Sequence, residues 1–159
     1  MSLNFTSWWW ENNEKQDIII SLTTNSKSLI VTIKDLDPIT VDTPSTATGK
    51  DADIWDMFVG SELDILGKYT ILKSCDPSTA VWNEAQGTRL LKIRDKLAEE
   101  IRKYENKQFP QRLLVKYHTN IPGGYNLRAI INQIGEFHSI LAKYRPALAN
   151  GIIGDSFPY

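Results

Sequence analysis

A chain of 159 residues, 42% hydrophobic and 23% charged, has ordinary globular composition and enough length to fold around a core without a disulfide or metal staple. A formal net charge of −1 gives no electrostatic case for nucleic acid. No apolar run approaches a bilayer crossing, and no basic-then-apolar leader opens the sequence. The single cysteine, Cys75, has no internal disulfide partner, so the expected setting is reducing and cytoplasmic, with the thiol as inert packing. Charge is spread unevenly. Residues 1–75 carry 6 basic and 11 acidic side chains and residues 76–159 carry 12 and 8, leaving halves of −5 and +4. That polarity can orient a partner but falls short of the dense basic face of a nucleic-acid binder.

In chain order, the first ten residues end in Ser7-Trp8-Trp9-Trp10, a concentration of indole that no linker requires. Asp17–Leu22 and Ser28–Lys34 are rich in β-branched residues and are separated by Thr23–Lys27, which predicts a hairpin. Pro38–Val41 reads as a short third strand. Residues 43–53 form the clearest flexible loop. Their Gly49-Lys50 pair is no phosphate-binding loop, because Pro44 stands at the earlier glycine position and Asp51 where Ser or Thr is required. Ile54–Leu66 reads as one or two short helical turns with Ser61 capping the second, and Tyr69–Ser74 as a fourth strand.

The strongest pattern spans Asp76–Lys107. Asp76 suits an N-cap and Pro77 the first helical turn, while Leu90, Ile93, Leu97, Ile101 and Tyr104 recur at helical spacing. Arg89, Lys92, Arg94, Lys96, Glu99 and Lys103 fill the rest as a solvated face, with Glu99 placed to pair with Lys103. Gly87 weakens the helix interior, so its first turns are a possible separate segment. Leu113–His118 is a strand candidate and Thr119–Gly124 a turn. A second amphipathic helix covers Asn126–Arg145 and is limited by Pro146. The remaining stretch, an apolar tail at 150–159, shows neither helical nor strand periodicity. The expected fold is a single α+β domain over 1–159: a small, mainly antiparallel sheet packed with two long amphipathic helices.

Catalytic signatures are missing from the sequence. There is no Gly-x-Ser-x-Gly elbow, no Cys–His pair at a known spacing and no zinc-protease helix. The two histidines, His118 and His138, lie too far apart for a metal site, so no metal and no cofactor is expected. His138 falls on the apolar stripe of its helix as a helix-contact residue.

What resists a structural account is the cluster Trp8, Trp9 and Trp10 and the tail residues Ile152, Ile153, Phe157 and Tyr159. Adjacent strand residues point to opposite faces, so three consecutive tryptophans cannot all enter one core. The leading expectation is a non-catalytic interaction or assembly subunit contacting other protein subunits, or a second copy of itself, through these residues. A second is a small-ligand or enzymatic site at the Pro122-Gly123-Gly124 turn, with His118, Gly123, Gly124 and Arg128 around a helix start. A weaker third is a nucleic-acid module using the basic C-terminal half.

Overall fold

The computed structural model describes residues 1–105, 120–154 and 157. It is an α+β fold whose chain divides into two units, residues 1–84 with 119–125, and residues 85–118 with 126–159. The first holds a five-stranded antiparallel sheet in the order β4-β3-β2-β1-β8 and a three-stranded sheet β5-β6-β7. The strands are β1 Ser2–Glu11, β2 Glu14–Thr23, β3 Leu29–Ile33, β4 Ile39–Val41, β5 Ser45–Thr46, β6 Glu62–Ile65, β7 Lys68–Ile71 and β8 Ser74–Cys75. The helices are α1 Pro77–Glu105, which runs from the first unit into the second, then α2 Leu127–Ala142 and α3 Pro146–Ile153.

The expected hairpin is present, with Ile18 opposite Ile33 and Leu22 opposite Leu29, and the third strand follows at Ile39–Val41. β1 joins this meander through a two-residue turn, Asn12-Asn13, both left-handed at φ 51° and 62°. Asparagine tolerates that conformation, and such paired positive φ angles match the twist of the flanking strands. Along β1, Leu3, Phe5 and Trp9 face inward with Ile18, Ile20, Leu22, Leu29 and Val31.

Three expectations change in this unit. The loop 43–53 contains the short strand β5, paired to β6. Glu62–Ile65 is a strand rather than a helical turn: burial alternates, with Leu63 and Ile65 inward, and Leu66-Gly67 (φ 55° and 78°) closes a tight hairpin to β7. Only the 3₁₀ turn Ile54–Asp56 is helical there, capped by the Asp53 carboxylate accepting from Trp55 N–H at 2.9 Å. The fourth strand divides into β7 and β8.

α1 begins as its sequence predicts. The Asp76 carboxylate accepts from Thr79 N–H at 2.9 Å, and hydrogen bonds from Thr79, Asn4 and Ser78 hold that carboxyl below its usual range. Gly87 does not interrupt the helix. In the second unit, Leu90, Leu97 and Ile101 of α1 and Leu127, Ile130, Ile134, Phe137 and Leu141 of α2 are fully buried, whereas Ile93 is half-buried and Tyr104 is exposed, stacked on Tyr144 at 5.0 Å.

Arg94 departs from its expected solvated face. It is 2% exposed, with Nη1 donating to Gln133 Oε1 at 2.9 Å and Nη2 to Asp95 Oδ1 at 2.8 Å. Lys103 pairs with Glu100 at 3.0 Å and not with Glu99. The supposed tail is partly helical: Pro146 ends one helix and also opens α3, where its missing N–H is harmless, and Ala149 is buried. The strand candidate Leu113–His118 lies outside the described residues. No helix among the described residues is long and apolar enough to cross a membrane.

Candidate functional site: an aromatic trench along the edge of β1

Strand alternation separates the three tryptophans. Trp9 enters the core at 6% exposure and donates its indole N–H to Thr70 Oγ1 at 2.8 Å, while Trp8 and Trp10 emerge on the other face, 36% and 70% exposed. Trp9 is therefore a core residue, and of the three only Trp8 and Trp10 are exposed. The outer face continues through Ile19 and Ile30, both more than 40% exposed (46% and 44%).

Lysines gather around these rings. Lys15, opposite Trp10 in the ladder, places Nζ 4.2 Å from the Trp8 ring centre, and Lys73 places its own at 4.9 Å. Lys68 lies 4.7 Å over Trp9 and pairs with Glu11, while Lys15 meets Asp17 at 3.9 Å. Each cation–ring contact contributes about 0.5–1 kcal/mol at an exposed position. Two ammonium groups thus occupy the Trp8 ring, leaving Trp10 as the open indole.

A trench of about 360 Å³ runs here, between Trp8, Trp9 and Trp10 on one side and Lys68, Tyr69 and Ile71 of β7 on the other, with Lys73 at one end. Because Trp9 faces in and its neighbours face out, a cavity touching all three follows the edge of the strand. Next to it, Ser7 ties β1 to β7, donating from Oγ to Ile71 O at 2.5 Å. Within the wall, Glu62 accepts a hydrogen bond from the Tyr69 phenol and raises its pKa.

The other proposed site residues are placed differently. Ile152 and Ile153 form the last turn of α3 and, like Phe157, are half-buried; Tyr159 and His118 lie outside the described residues. Gly123 and Gly124 are buried, whereas Asn120, Ile121 and Pro122 of the same turn are exposed. Gly123 has φ +78°, a Cβ there would stand 2.5 Å from Cys75 Sγ, and its carbonyl accepts from Val59 N–H at 2.9 Å. Asn83 clamps the same turn through Tyr125, donating at 3.1 Å and accepting at 2.9 Å. Arg128 is half-buried in the second unit, and the α2 start is capped by Asn126 accepting from Ala129 N–H at 3.0 Å. The geometry at this turn is that of close packing.

Gly123→Ala should therefore lower stability by about 2 kcal/mol or more, from left-handed backbone strain and overpacking against Cys75, read as a shift in the denaturant midpoint. Cys75 itself is partly buried, and burial together with Asp76 raises its thiol pKa, which disfavours a thiolate nucleophile. His138 Nε2 lies 2.8 Å from Asn150 Oδ1, tying α2 to α3. Among the described residues no group of three or more His, Cys, Asp or Glu side chains is placed to hold a metal.

No protein-family model matches the sequence, and no curated protein matches it. The functional reading rests on the trench itself. Lys15, Lys68, Tyr69 and Lys73 were not singled out from the sequence. The signal that finds Lys15 is Asn12-Asn13 between an aromatic run and a β-branched run, which sets the register that places Lys15 opposite Trp10.

Proposed function

We propose that this chain is a non-catalytic interaction subunit that docks another protein on the Trp8–Trp10 edge of its N-terminal sheet. The observation that carries the reading is the exposure of Trp10, at 70%, beside the half-covered Trp8. An indole buries about 150–250 Å² when covered, and at about 25 cal/mol per Å² that favours contact by several kcal/mol before the costs of association. Aromatic side chains with little entropy to lose are the usual anchors of such interfaces.

The paired substitutions Trp9→Ala and Trp10→Ala test it. Trp9→Ala removes a buried ring and its hydrogen bond to Thr70, so it should lower stability by about 3–5 kcal/mol. Trp10→Ala should stay within about 0.5 kcal/mol of the wild type yet lose proteins retained from an extract of the source cells by the immobilised chain. Retention unchanged by Trp10→Ala would remove the reading's main support.

A further inference from the structure

β1 has an open edge at the trench. Glu11 and Glu14 flank a two-residue turn, so they exchange both backbone hydrogen bonds, and bonding pairs then alternate along the ladder. Trp9, Ser7 and Phe5 bond to β2, whereas Asn4, Thr6, Trp8 and Trp10 direct their N–H and C=O groups to the opposite edge. The neighbours on that edge agree: Thr6 O accepts from Lys73 N–H at 2.8 Å and Asn4 O from Asp76 N–H at 3.2 Å. β8 covers the edge only at Phe5 and Thr6. From Trp8 to Trp10 no strand pairs with it among the described residues. An unpaired row of backbone groups is a template for another strand, and here it borders a trench with side-chain walls.

We infer that the Trp8–Trp10 edge binds an extended, acidic peptide segment of the partner by strand addition. The inference rests on the interaction reading above and specifies its chemistry. Backbone hydrogen bonds to Trp8 and Trp10 align the segment, and the trench receives alternate side chains. The charge follows from the lysines. Lys68 pairs with Glu11 and Lys15 lies 3.9 Å from Asp17, whereas the Lys73 ammonium, beside Trp8, has no carboxylate partner among the described residues. One carboxylate on the incoming segment complements it. A groove that pairs two of its three lysines with its own carboxylates is ill suited to a phosphate backbone, which needs several free cations along its length.

The probe is a displayed library of random peptides selected on the full chain, followed by affinity measurements on one enriched synthetic peptide. Enriched sequences should combine an acidic residue with β-formers, and Lys73→Glu should weaken binding about tenfold. Trp10→Val and Trp10→Pro both lose the indole, but only proline also lacks the edge N–H, and at this position it breaks no bond to β2. Trp10→Pro should therefore bind about fivefold more weakly than Trp10→Val. Amide hydrogen exchange on the wild type, which needs no variant to fold, should show Trp8 and Trp10 slowed by the peptide.

Equal affinities for the two variants, with both amides unprotected, would overturn strand addition while leaving the aromatic docking surface standing. Failure to enrich any peptide would reduce the lysines to guards against edge pairing and overturn the inference. So would tighter binding of single-stranded oligothymidylate than of any peptide, or dimerisation of the chain through the same edge. Binding indifferent to loss of the indole in both variants would sink the docking reading itself.

Discussion

Leu97→Ala or Ile134→Ala is expected to lower the free energy of unfolding by about 2–5 kcal/mol each. Both side chains are fully buried, on α1 and α2 within the second unit. Truncation removes three apolar side-chain carbons from a packed site whose rigid helical walls cannot collapse to fill it. Denaturant unfolding reads the loss, and an unchanged midpoint in both variants would refute the helical core.

A comparable effect is expected at Arg94, a buried cation of that core. Gln133→Leu should cost about 1.5–3 kcal/mol, because it deletes an acceptor from the buried Arg94 guanidinium while the charge stays in place. Adding Arg94→Met should recover much of the loss, since an apolar pair of similar volume no longer needs that acceptor. The double-mutant cycle by denaturant unfolding checks it. A double variant less stable than Gln133→Leu alone would mean that Arg94 contributes mainly through contacts other than Gln133, Asp95 at 2.8 Å among them.

The elements legible in advance were those whose side chains repeat. Leu90, Leu97 and Ile101 mark α1, Ile130, Ile134 and Leu141 mark α2, and the two β-branched runs mark β2 and β3. The misread elements were short ones, where a local signal admits two meanings. Leu63 and Ile65 fit one turn of helix as well as one strand, and only pairing with β7 decides. Pro146 closes one helix and opens the next. Arginine is usually at the surface, and one acceptor that lets Arg94 be buried, Gln133, lies 39 residues away in sequence.

At the site, strand alternation divides the three consecutive tryptophans between faces, but which one turns inward depends on register. Register here depends on the Asn12-Asn13 turn. The lysines come from three places, β2, β7 and the residue before β8, and no linear pattern joins them.

Hydroxyl-radical footprinting of the tryptophans, alone and in complex with proteins retained from the source cells, addresses the docking surface most directly. In the isolated chain, Trp8 and Trp10 should oxidise readily and Trp9 slowly; in the complex, Trp8 and Trp10 should become protected while Trp9 stays as it was. Trp8 and Trp10 oxidising as fast in the complex as alone would contradict the proposal that this edge is where the partner docks.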